Sequence, residues 1–390
     1  MKLYLSDCGV ATPLGCSKTE VAQRLFKDDA SGLTYRDNKW VGAIDVELPT
    51  ISAPLKHYAC RNNQVMQLCL DQIAASVKAA ITKHGQSRIA VILGTSTAGI
   101  SDGEEALAYF HENGAWPKEF LYTQQETSNL AQFAAAYFGI TGPVYTVATA
   151  CSSSAKVFAS ARRLIQSGIV DAAIVGGTDT LCRITLNGFD SLELLSAEKC
   201  NPFSTNRNGI SIGEGGAAFL ITKDPSPVAL LGIGETSDAH HPTAPDPSGQ
   251  GAQRAMEQAL AQAGLAAAEI DYINLHGTAS QLNDAMESHA VAAVFGTTTP
   301  CSSTKRMTGH TLGAAGAIEA AFLWLTLHPE YNDTQLPPHL WDGIRDPALP
   351  PLAFTDTQSR LPNKQKIAML SNSFGFGGSN ASLILGRGFA

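Results

Sequence analysis

The stretch Val144-Tyr-Thr-Val-Ala-Thr-Ala-Cys-Ser-Ser-Ser-Ala-Lys-Val-Phe-Ala-Ser-Ala-Arg-Arg-Leu-Ile-Gln166 changes its periodicity once, around Cys151. Val144–Val147 is a short β-branched and aromatic run that suits a strand. Beyond the cysteine, Ala155, Phe158, Ala159, Ala161, Leu164 and Ile165 fall largely on one face of a helix predicted over 154–167. The next apolar run, Ala172–Val175, ends in Gly176-Gly177 and reads as the returning strand of a βαβ unit. Upstream, Ile89–Leu93 closes at Gly94 in the same manner.

Asp224-Pro-Ser-Pro227 interrupts this alternation, which then resumes. Strands are predicted at 228–233 and 270–275, and helices at 252–263, with Gly264 as the stop, and at 313–327. The segments 1–225 and 226–390 are alike in length and rhythm, and no short-period repeat suggests a solenoid. The expectation is an α/β protein made of two similar halves.

The 390 residues carry 44% hydrophobic and only 16% charged side chains with 35 glycines, a balance that suits a compact α/β enzyme. The net charge of −8, without a basic run, speaks against nucleic acid as the main partner. The opening Met-Lys-Leu-Tyr-Leu-Ser-Asp-Cys8 lacks the apolar core of a signal peptide, and no stretch approaches a membrane span. Eight cysteines without paired or metal-type spacing read as reduced thiols, so a cytoplasmic protein is expected.

Cys151 stands between a strand and a helix, where the helix dipole and unpaired N–H groups are expected to favour thiolate over thiol. A buried structural cysteine is the plainer reading of that position taken alone. His276 lies in Leu275-His-Gly-Thr-Ala-Ser280, just past a predicted strand; Lys305 and His310 lie in Ser303-Thr-Lys-Arg-Met-Thr-Gly-His310, which leads into a helix. Taken singly, these read as turn, capping or solvated residues. Asn372-Ser-Phe-Gly-Phe-Gly-Gly378 is a glycine-rich turn that matches neither a dinucleotide nor a P-loop fingerprint. The tandem His240-His241 has no companion ligands for a metal, and no metal site is expected.

In order and spacing these segments resemble the elongating β-ketoacyl-acyl-carrier-protein synthases, from Gly9-Val-Ala-Thr-Pro-Leu-Gly15 to the last strand. The resemblance implies a thiolase-like fold, two duplicated α/β halves in five layers, working as a dimer. It implies that Cys151 holds an acyl chain and that malonyl-acyl carrier protein is decarboxylated and condensed with it. The product is then 3-oxoacyl-acyl carrier protein, with CO2 and free carrier protein. On the same grounds His276 and His310 donate to the enolate, and the backbone N–H groups of Cys151 and Phe376 form an oxyanion hole. Lys305 with Glu319 organises the site, Asn283-Asp284 supports it, and Thr278 and Ser280 bond the pantetheine arm. No cofactor is expected, since the substrates travel on the phosphopantetheine of the carrier protein.

Three departures accompany the resemblance. The family's His-Gly-Thr-Gly-Thr is here His276-Gly-Thr-Ala-Ser280. The segment Cys60–Leu68 aligns with a helix that is rich in lysine and arginine in many relatives, yet Arg61 is its only basic residue. Gly99-Ile-Ser-Asp-Gly103 aligns with a bulkier acyl-pocket lining. Two assemblies stay open: a homodimer of the fatty-acid type, or the catalytic half of a heterodimer with a chain-length-factor-like subunit making polyketide or polyene chains. In the latter, the partner supplies the basic patch that the acidic carrier protein needs. A non-catalytic subunit is disfavoured by the intact Cys151, His276, Lys305 and His310. A degradative thiolase is disfavoured because no cysteine follows Cys301. A cysteine protease leaves the His-Lys-His set unexplained.

Overall fold

The computed structural model describes residues 1–389. In the first half the strands of the large sheet are β1 (Leu3–Ala11), β2 (Ile89–Gly94), β3 (Val144–Val147), β4 (Ala172–Asp179) and β5 (Gly215–Thr222). They lie in the order β3-β2-β4-β5-β1. β2 is parallel to β3 and β4, and β5 is antiparallel to β4 and β1. In the second half β6 (Ala229–Ser237), β7 (Tyr272–Asn274), β8 (Pro300–Ser302), β9 (Ile367–Gly375) and β10 (Ser379–Arg387) repeat that order as β8-β7-β9-β10-β6, with the same directions. The two sets meet where β1 pairs with β6, Leu3 opposite Leu230 and Tyr4 opposite Ala229. This repeated order is the thiolase-like fold.

The layers follow from which strand faces are apolar. In β2, Ile89, Val91 and Leu93 join one core cluster while Ala90 and Ile92 join another, so both faces are covered and the strand reads as an unbroken apolar run. The outer face is covered by α1 (Arg61–His84), through Val65, Met66, Leu70, Ile73 and Val77. Between the two sheets lies α2 (Ser153–Gln166), and the opposite outer face carries α3 (Gln250–Ala263) and α4 (Gln281–Phe295). The second central helix is α5 (Ala315–Leu327), buried at every position, which explains why its sequence lacks a polar face.

The structure trims several predicted boundaries. The strand expected over 270–275 is regular only across Tyr272–Asn274, with single flanking bonds from Asp271 N–H to the Ala368 carbonyl and from Leu275 N–H to the Ser302 carbonyl, and β6 runs on to Ser237. The helix expected from Gly313 begins at Ala315, because Leu312–Ala314 forms a tighter 3-10 turn entered through Leu312 at φ 50°. Close approach of the central helices depends on small residues. A Cβ on Gly316 would stand 2.7 Å from the Ala155 Cβ, and one on Gly94 would stand 2.5 Å from the Ser154 nitrogen. The N-termini of α2 and α5 are thereby brought to the level at which the strands end.

Candidate active site

Cys151 sits between β3 and α2 on a sharply bent backbone. Ala150 is held in the left-handed region at φ 51°, unusual for a residue with a side chain. The bend is tied twice: Thr149 N–H donates to Ser153 Oγ at 2.8 Å, and Ser153 Oγ donates to the Ala150 carbonyl at 2.6 Å. The result presents the sulfur to a pocket of about 150 Å³ while leaving the residue buried.

The expected acidic thiol is corrected by this burial. The Cys151 thiol is pushed up to about 11 by desolvation, against the opposing pull of the Lys305 ammonium and of the backbone N–H groups of Phe376 and Cys151 itself. A helix terminus contributes about 0.3–1 kcal/mol in exposed settings, too little to offset removal of a thiolate from water.

His310 Nε2 lies 3.0 Å from Cys151 Sγ. His276 joins them, and one ligating atom from each of the three lies within 4.8 Å of the others. The two imidazoles meet edge to face, with centroids 5.1 Å apart. They arrive from separate elements: His276 follows β7, whereas His310 follows the helical turn Lys305–Thr308 and is fixed by its N–H to the Ser211 carbonyl at 2.7 Å. Burial, and then the Lys305 charge, hold both histidines well below their ordinary value, so both are neutral near pH 7. The Nδ1 atoms of both lack a protein partner.

Lys305 is buried and donates to the His276 carbonyl at 2.7 Å and to Glu319. It thus fixes the backbone of one histidine while placing a positive charge behind both. Burial lifts Glu319 to about 7 against the pull of Lys305.

Two carboxylates of α4, one helical turn apart, hold the His276 loop. Asp284 accepts from Phe203 N–H at 2.7 Å and Ala279 N–H at 3.2 Å, and burial raises it to about 6. Glu287, which the sequence reading missed, accepts from the N–H groups of His276 and Gly277, each at 2.7 Å, and from Asn372 Nδ2 at 3.2 Å. Burial raises it to about 7. The available signal was two acids three residues apart on a helix, the second standing three and four residues before the apolar Ala290 and Val291. Asp179, also missed, ends β4 and gathers Thr95 Oγ1, Ser96 N–H, Thr97 N–H and Thr97 Oγ1 at 2.6–2.9 Å.

Thr278 and Ser280 line the pocket with their hydroxyls 3.1 Å apart, and between them Ala279 is held at φ 69°. Ala279 keeps the left-handed backbone that glycine adopts at lower cost, secured by Asp284 and by Gly209 N–H on its carbonyl. Across the pocket, Phe376 stands on a turn with Gly377 and Gly378 at φ 77° and 75°. A Cβ on Gly375 would lie 3.2 Å from the Cys151 nitrogen, so glycine lets this turn approach the cysteine.

Three further stretches singled out in the sequence find their surroundings in the structure. Arg61 does not stand free on α1: its guanidinium grips Glu214 at 2.6 and 3.0 Å and also donates to the Ile44 carbonyl. Gly99–Gly103 does not line the pocket, and instead lies against Gln124 and Gln125. His241 Nδ1 accepts from the N–H groups of Thr243 and Ala244, each at 3.2 Å, and organises the loop at the pocket mouth.

Comparison with known proteins places this geometry. Residues 49–226 match the family model for the β-ketoacyl synthase N-terminal domain, and residues 228–340 match that for its C-terminal domain. The 3-oxoacyl-[acyl-carrier-protein] synthase 2 of Rhizobium meliloti is 40% identical over 63% of this chain. That match spans 61% of the relative's own length, less than two thirds of it. The synthase 2 of Staphylococcus aureus is 30% identical over 84% of this chain and 85% of its own. A chain of the solved complex of a ketosynthase with its chain length factor, from Xenorhabdus doucetiae, is 45% identical. It aligns over 99% of this chain and 98% of its own, with a TM-score of 0.93. With both halves matched in sequence and the fold matched throughout, the chain belongs to the β-ketoacyl synthase family.

Proposed function

We propose that the protein is an acyltransferase that condenses an acyl group held on Cys151 with malonyl-acyl carrier protein. The observation that carries this reading is the 3.0 Å approach of His310 Nε2 to Cys151 Sγ, with His276 beside them in the same pocket. In the first half-reaction the sulfur attacks the acyl thioester. The S–C bond forms as the S–H proton leaves for the departing carrier thiol. A thiol lifted to about 11 beside a neutral histidine does not rest as an ion pair, so proton and acyl transfer are coupled.

In the second half-reaction the malonyl carboxylate leaves as CO2 and its bonding electrons become an enolate. Neutral His276 and His310 donate N–H groups to that oxygen. The enolate carbon attacks the acyl carbonyl on Cys151, whose developing oxyanion meets the N–H groups of Cys151 and Phe376. Collapse expels the Cys151 thiolate, which regains a proton, and releases 3-oxoacyl-acyl carrier protein. Thr278 and Ser280 serve the pantetheine arm, and Lys305, Glu319 and Asp284 position the donors. No step calls for a cofactor.

The family setting favours chain elongation of the fatty-acid type. A second assembly is favoured by the likeness to the Xenorhabdus complex and by Arg61, whose charge is spent on Glu214 rather than offered to a carrier protein. In that reading the chain pairs with a chain-length-factor-like subunit. Strand β3 stands at the end of its sheet with Tyr145 exposed, an edge that a second subunit can cover. Among the described residues no helix is long and apolar enough to cross a membrane, and all eight cysteines are unpaired, which suits the cytoplasm. The test is incubation with acyl-acyl carrier protein followed by peptide mass mapping. Acylation is expected on Cys151; label on Cys182 or Cys200 with Cys151 unmodified overturns the assignment. Mass and activity of the chain purified alone and with a co-expressed partner decide between the assemblies.

A further inference from the structure

We infer that Cys151, His276 and His310 also form a binding site for a soft divalent cation such as Zn²⁺, and that the ion holds the protein in a blocked state. Thiolate and imidazole are the donors that such ions select. A tetrahedral zinc ion, with bonds of about 2.3 Å to sulfur and about 2.0 Å to nitrogen, sets its ligands roughly 3.3–3.6 Å apart. Here Sγ and His310 Nε2 are 3.0 Å apart, and one donor atom of each residue lies within 4.8 Å of the others. Rotamer adjustments on the order of an ångström therefore bring three donors onto one ion.

All three side chains are buried, but they face the pocket, so the fourth position is open to water. The Lys305 ammonium behind the two histidines opposes the ion, and its contact with Glu319 lessens that repulsion. Binding breaks the Cys151 S–H bond, forms an S–Zn bond and releases the proton to solvent. The occupied sulfur cannot then attack a thioester. Ligating histidines usually donate their second nitrogen to a neighbouring group, and neither Nδ1 has a protein partner here. Affinity is therefore expected below that of structural zinc sites, which makes the block reversible.

The inference needs no carrier protein and does not rest on the condensation chemistry, so the two fail separately. The test exposes the intact protein to iodoacetamide with and without Zn²⁺ alone, and peptide mass analysis reads each cysteine. At about ten times the dissociation constant, zinc should slow Cys151 alkylation about tenfold. A chelator should reverse this, and the protection should vanish in folded His276→Ala and His310→Ala variants. Equal protection of Cys151 in both variants, or none in the parent, overturns the site. As a second measurement, native mass spectrometry of Cys151→Ser should show one fewer zinc ion than the parent, and equal stoichiometry also overturns it.

Discussion

Replacing Lys305 by methionine tests how one buried charge supports the site. The ammonium bonds the His276 carbonyl at 2.7 Å and is the partner of Glu319, whose other oxygen has none. Breaking a buried ion pair by removing one member costs about 3–5 kcal/mol when the survivor stays charged. Glu319 already stands at about 7, so below that value it is largely protonated in the parent too. There the cost falls to the lost bond to the His276 carbonyl, about 1.5–3 kcal/mol. Without the ammonium, Glu319 rises further, and the folded variant keeps a proton that the folded parent releases above about 7. Stability relative to the parent therefore drops as pH rises through that value and recovers below it. Urea unfolding at pH 6 and pH 8 should show the wider deficit at pH 8, and adding Glu319→Gln should remove the pH dependence. Lys305 is also the strongest influence lowering the Cys151 thiol, so the coupled proton and acyl transfer at neutral pH should slow by roughly threefold for each unit by which the thiol rises, its greater basicity offsetting part of the loss. Equal destabilisation at both pH values together with unchanged acylation would refute the electrostatic role of Lys305.

Cys151→Ala should abolish condensation yet keep malonyl decarboxylation, whereas His276→Ala and His310→Ala should each lower decarboxylation by about 100-fold; CO2 release assays separate the two halves. Because both histidines lie well below their ordinary value, decarboxylation by Cys151→Ala should stay flat from pH 6 to 8, and a fall towards pH 8 would contradict neutral donors. Glu287→Gln turns an amide N–H₂ toward the N–H of His276 or Gly277, and should cost about 1–3 kcal/mol in thermal unfolding while decarboxylation falls. Arg61→Met should cost about 1–3 kcal/mol, discounted for its partial exposure, and leave the Michaelis constant for carrier protein unchanged; a raised constant with parental stability would return Arg61 to a docking role.

Much of the architecture is legible in the chain because strands and helices announce themselves locally. The run Val144–Val147 and the small-residue helix beyond Cys151 mark a strand and a helix with no tertiary knowledge. Cys151, His276, Lys305 and His310 stand out in the sequence for another reason: the chemistry proposed for them requires particular side chains in motifs that occupy fixed places along the sequence. What the sequence could not provide is the environment of those groups. The thiol at the start of α2 reads as acidic from its helix, and only the packing of α2, α5 and the Phe376 turn around it shows that desolvation outweighs the dipole. Arg61 reads as the single basic residue of a helix aligned with a docking helix until folding brings Glu214, 153 residues away, against it. Glu287 reads as an ordinary helical acid until α4 aims it at two backbone N–H groups beside His276. Side-chain identity and local periodicity are properties of the chain, whereas solvation and long-range pairing arise only when distant segments exclude water together, and on those the charge state of the site depends.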